Sequence, residues 1–86
     1  MLLHIGDETT VLLKNLILIL DMSTALSPDT HRFLNSLIEK GAAVKAQCSR
    51  PRSLILCRGD QKDKIDLYFS PISSRTLIRR SAAFKA

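Results

Sequence analysis

Eighty-six residues suit one small domain, and a domain of that size buries only about 60–65% of the surface its unfolded chain exposes. Such chains often gain stability by oligomerising. Three Phe, one Tyr and no Trp leave little for a nucleic-acid site built on base stacking, whereas a net charge of +5 and a pI near 9.7 suit a polyanion, either nucleic acid or an acidic membrane surface.

Taken in order, Leu2–Ile5 reads as a first strand ended by Gly6, with turn chemistry at Asp7–Thr9. Thr10–Leu13 reads as a second strand. Leu16-Ile-Leu-Ile-Leu20 is a continuous apolar run between Asn15 and Asp21, which predicts a strand buried on both faces. One layer of helix cannot cover two faces in so small a protein, so the run also predicts an oligomer. Ser27-Pro-Asp-Thr30 is a helix start: Ser27 as cap, Pro28 at the first helical position, Asp29 beside the positive helix end. Phe33, Leu34, Leu37 and Ile38 follow at helical spacing and predict a core-facing stripe. Gly41 stops the helix.

Ala43–Cys48 and Ser53–Cys57 read as two strands joined at Ser49-Arg50-Pro51-Arg52. Read as a hairpin, this unit holds Arg50 and Arg52 at an exposed tip and keeps Cys48 and Cys57 too far apart for a disulfide. Arg58–Lys64 is a polar loop. Its Arg58-Gly59-Asp60 triplet lacks the extracellular setting of an integrin ligand. Ile65-Asp-Leu-Tyr-Phe69 alternates as a half-buried strand does, Pro71 ends it, and Ser73 or Ser74 caps a last helix running to about Ser81. The organisation expected is a single α+β domain over 1–81, dominated by a sheet of about five to six short strands, with one central helix, a short C-terminal helix and a frayed tail at 82–86.

Charge is segregated along the chain. Residues 1–44 net −2 and 59–69 net −1, while 45–58 and 70–86 each carry +4 with no acid. Mixed signs are the norm on a solvated surface, so two acid-free segments point to a polyanion site. Arg50 and Arg52 lie in the first, Arg75, Arg79 and Arg80 in the second, and guanidinium forks suit bidentate phosphate contacts. Each of them also reads as an ordinary solvated charge, and Arg75 and Arg79 as partners for acids across a subunit interface. In the last helix Leu77 and Ile78 are expected to face inward while Arg75 and Arg79 face out. No catalytic set is visible: three scattered glycines make no phosphate loop, and no Ser–His–Asp or Cys–His arrangement stands out. His4, His31, Cys48 and Cys57 lack the paired close spacings of zinc sites. The reading is therefore no enzyme, no cofactor and no metal. MLLHIGDETT lacks a basic n-region, and the Leu16–Leu20 run falls far short of the ~20 residues a bilayer requires, which predicts a cytoplasmic location without membrane contact.

Four stretches, LLHIG, NLILILD, PRSLIL and above all SPISSRTLIRR, resemble the small bacterial extracellular-matrix regulatory proteins (RemA and RemB), nearer the RemB-like branch, over almost the whole chain. The resemblance implies a sheet-rich protomer like the LytTR DNA-binding domain, assembled into rings with arginine-rich outer surfaces, that binds double-stranded DNA and promotes transcription of biofilm-matrix operons. The DNA-binding branch has adjacent arginines between two strands, where this chain has Arg50-Pro51-Arg52. Arg50 matches, Pro51 departs, and Arg52 stands one position on. That branch also has a basic residue before its first long apolar strand, where this chain has Asn15, with Lys14 one residue earlier. The residues assigned to DNA are Arg50, Arg52, Lys14, Arg75 and Arg79. The competing reading is an oligomeric scaffold that binds a protein partner.

Overall fold

Strand pairing sorts apolar segments that look alike in the sequence. A computed structural model describes residues 1–6, 8–61 and 63–82. In chain order these form β1 (Leu2–His4), β2 (Thr10–Leu12), a 3₁₀ turn (Leu13–Asn15), β3 (Leu16–Asp21), α1 (Met22–Ala25), α2 (Pro28–Glu39), β4 (Ala43–Ala46), β5 (Ser53–Arg58), β6 (Ile65–Ser70) and α3 (Ser74–Ala82). This is a small α+β fold. Residues 83–86, the rest of the expected frayed tail, lie outside the described residues, as do Asp7 of the first turn and Lys62 of the polar loop.

β1 and β2 form an antiparallel hairpin, and the other strands form one sheet in the order β3-β5-β6-β4. β5 is antiparallel to both neighbours, opposing Ile19 and Tyr68 through Ile55. Alternation along β5 then builds a core on each face. Ile55 and Cys57 join Leu3, Ile5, Val11 and Leu77 under the hairpin and α3. Leu54 and Leu56 join Ala25, Leu34 and Leu67 under α1 and α2. Leu54, Ile55 and Leu77 have no solvent exposure at all.

Three expectations change here. Ala43–Ala46 and Ser53–Arg58 do not form a hairpin, because β6 inserts between them and β4 pairs with β6 in parallel. β6 reads as half-buried by its alternation, and Leu67 on its apolar face is enclosed as that reading expects, but Tyr68 on the other face also packs against a core and strands flank both its edges, so it takes an inner place. Second, β3 is an edge strand rather than a doubly buried one: Ile17 is 53% and Leu18 40% exposed. Third, α2 buries Leu34 and half-buries Leu37 but leaves Phe33 and Ile38 about half exposed. The buried stripe is centred between Leu34 and Leu37, and the other two stand on its opposite rims at ~100° per residue.

The helix ends follow their predicted chemistry. Ser27 accepts from the Thr30 amide at 3.3 Å with Pro28 at the first helical position. Gly41, with φ +100°, closes α2 in a conformation that glycine adopts without strain. Ser73 is the cap of α3, accepting from the Thr76 amide at 3.2 Å. α1 has no counterpart in the sequence reading. Its signal is Asp21 two residues ahead of Ser23, whose amide donates to the Asp21 carboxylate at 3.0 Å.

Candidate nucleic-acid interface

The connection from β4 to β5 must pass over the end of β6, and this crossing carries Arg50 and Arg52. The Arg52 amide donates to the Ser70 carbonyl at 2.8 Å, and the Met22 amide donates to the Arg52 carbonyl at 3.1 Å. The backbone at Arg52 is thus fixed between the last residue of β6 and the first of α1. Both arginine side chains are exposed, and Pro51 between them is half-buried. A proline here holds φ near −65° and asks for no hydrogen bond, which suits a segment that bridges strands instead of pairing with one.

Two buried serines join this crossing to the SPISS turn. Ser53 Oγ donates to the Ile72 carbonyl at 2.7 Å. Ser70 Oγ donates to the Ile5 carbonyl and accepts from the Ile72 amide at 3.0 Å. Ser74 Oγ then donates to the Asp21 carboxylate at 3.1 Å. Asp21 therefore stands between the start of α3 and Arg52. The Ser23 hydroxyl first, then the Ser23 amide and the Ser74 hydroxyl, with the Arg52 charge adding, hold its carboxyl below the usual carboxylate range. So Arg52 and the first turn of α3, with Arg75, are brought to the same end of the sheet.

Arg75 and Arg79 are exposed on α3 one turn apart. Leu77 between them is fully buried, as expected, but Ile78 is 52% exposed. Ile78 sits ~100° around the helix from Leu77 and faces an open groove of about 620 Å³ along β3, shared with Met1, Lys14, Ile17, Leu18 and Ser81. Lys14, on the 3₁₀ turn, thus belongs to the far end of α3. Arg80 is committed to the fold, donating to the His4 carbonyl at 3.2 Å. Arg52 thus lies at the start of α3 and Lys14 at its far end, with Arg75 and Arg79 on the helix between them.

Among the described residues there is no grouping of three or more His, Cys, Asp or Glu side chains suited to a metal, and no helix is long and apolar enough to cross a membrane. Cys48 and Cys57 are both free. Burial, with the Asp66 charge adding, pushes the Cys57 thiol up to about 11, which opposes formation of a reactive thiolate.

The four stretches that carry the family resemblance meet in space. The LLHIG stretch touches α3 where Arg80 meets His4 and the SPISS turn where Ser70 meets Ile5, β3 pairs with β5, and Asp21 ties β3 to α3. An arginine-bearing crossing beside a capped basic helix, on a small α+β scaffold, is the candidate site. Against curated proteins, the chain is 28% identical over 81 residues to extracellular matrix regulatory protein B of Bacillus subtilis (strain 168), covering 94% of this chain and 90% of that protein. The match bears out the resemblance to the extracellular-matrix regulatory proteins and to their B branch. No family model and no solved structure matches the chain.

Proposed function

We propose that this protein is a cytoplasmic, DNA-binding regulator of extracellular-matrix genes that acts as a ring-like oligomer and grips the duplex backbone through repeated arginines. Similarity to a matrix regulatory protein supports the regulatory role. The observation that carries the DNA reading is the exposed pair Arg50 and Arg52 on a backbone pinned at Arg52 by two hydrogen bonds. A fixed backbone lowers the entropy cost of presenting both guanidiniums to phosphate. One protomer offers few cations, and repetition around an assembly strengthens them by multivalency. Arg75, Arg79 and Lys14 extend the contact, and bases are read through bending of the duplex more than through their edges.

The test is duplex binding over a range of salt, with particle mass recorded in the same samples. Each phosphate contact contributes about 0.9 to the slope of log K against log salt. Arg50→Ala with Arg52→Ala should therefore lower the slope by about 2 per engaged protomer while leaving the particle mass unchanged. An intact assembly that binds no duplex at low salt would sink the reading. A second reading, a scaffold for a protein partner, draws on the apolar groove along β3. It requires both assembly and partner binding to survive the double substitution.

A further inference from the structure

β3 presents an open edge. It pairs with β5 on one side, and among the described residues no strand or helix pairs with the other. The unpaired row of amides and carbonyls is a template for another strand. Leu16 to Leu20 carry no charge and no proline. Ile17 and Leu18 are exposed, and Met1 at 72% and Ile78 join them around the groove. Solvent thus meets a hydrophobic strand, an apolar groove and unsatisfied backbone in one place, which marks an interaction surface.

We infer that β3 docks against β3 of a second copy, antiparallel across a two-fold axis at Leu18, giving one continuous sheet of eight strands. This rests on the assembly proposed above and names one of the surfaces that make it, since a two-fold contact closes at a dimer and a ring needs a second contact between dimers. The strand is self-complementary in charge. Lys14 is exposed just before it and Asp21 is exposed at its end, so antiparallel pairing sets the basic end of each copy beside the acidic end of the other. Ser23, Ser74 and Arg52 keep Asp21 ionised. In this register Leu18 opposes its own copy, and Ile19 and Leu20 of each copy face the 16–17 segment of the other, where β3 shifts its register against β5. The sheet's other edge, β4, is a poor mate. It is only four residues long and carries exposed Lys45, features that discourage edge pairing.

The dimer has a consequence for DNA. Arg52 lies about four residues from the axis along the strand direction and one strand outward, so the two copies of Arg52 stand about 30 Å apart. That is close to one turn of B-DNA, ~34 Å. A ring made from such dimers holds an even number of protomers.

The experiment compares wild type, Leu18→Lys, and single cysteines Ile17→Cys, Leu18→Cys and Ile19→Cys in a Cys48→Ser, Cys57→Ala background. Mass is measured by light scattering over a concentration series, and cross-linking follows mild oxidation. Residue 18 is exposed, so Leu18→Lys should keep the circular dichroism of the fold while its particle mass falls at least twofold. Residue 18 should cross-link fastest, because on the axis its two Cα atoms come within the ~4.4–6.8 Å that a disulfide spans. An even-numbered wild-type particle with these two results supports the inference. If wild type assembles and Leu18→Lys assembles equally, the interface lies elsewhere and the oligomeric reading stands. Loss of assembly in Leu18→Lys without any cross-link would indicate head-to-tail contact and overturn the two-fold. A wild-type monomer at every concentration would overturn both readings.

Discussion

β3 and β5 lie side by side and are nearly interchangeable in composition: LILIL at 16–20 against LILC at 54–57. Their surroundings differ completely. Ser53 to Cys57 are all buried, whereas no residue of β3 is. Neither hydrophobicity nor strand propensity separates them. What separates them is rank in the sheet: β5 has a strand on each side and a helical or hairpin layer on each face, and β3 has one neighbour. An apolar run states that a strand needs covering, and the topology decides whether its own chain supplies the cover.

Substitutions at paired positions can break this contrast. Ile55→Ala should cost about 2–5 kcal/mol, since it opens a cavity in a fully enclosed site, which is a large part of the roughly 5–15 kcal/mol that holds a small domain together. Denaturant unfolding measures it, and a cost below ~1 kcal/mol would mean that the face beneath α3 is loosely packed. Next comes Ser70→Ala. The hydroxyl links the Ile5 carbonyl to the Ile72 amide in a buried site, so losing it leaves two backbone groups short of a partner, at about 1–3 kcal/mol. The smallest effect belongs to β3: Leu18→Lys should change the stability of the monomer by no more than ~0.5 kcal/mol, the usual range for a surface change. A large loss there would show that β3 is enclosed after all.

The local features were legible. Ser27, Pro28, Gly41 and Ser73 fix helix ends through chemistry contained within a few residues, and the expected strands all exist. What failed was pairing. The order β3-β5-β6-β4 depends on contacts between segments far apart in sequence, and nothing within Ala43–Arg58 signals that a third strand will come between its two. The same error moved Arg50 and Arg52 from a free tip to a pinned crossing. Their exposure was foreseen; the anchoring by Ser70 and Met22 was not, because each partner belongs to another element. Ile78 was misjudged for a related reason. Helical spacing gives direction around an axis, but the width of the groove it faces comes from β3. The charge segregation was readable outright, since it needs no fold.

The crossing has a bearing on how the molecule forms and loosens. β4 cannot be seated until β6 exists, yet β6 is made later in the chain, after β5. The three antiparallel strands share consecutive or directly apposed pairings, whereas β4 adds in parallel at the margin through a short, irregular ladder. Margins of this kind open on their own at a free energy below that of global unfolding. Amide hydrogens of β4 should accordingly exchange before those of β5, measurable by native-state exchange. Each such opening frees one end of the 47–52 segment while Arg52 stays fastened at the other. Arg50 therefore rides on a strap hinged at Arg52, and its reach toward a phosphate is governed by the least stable strand of the sheet.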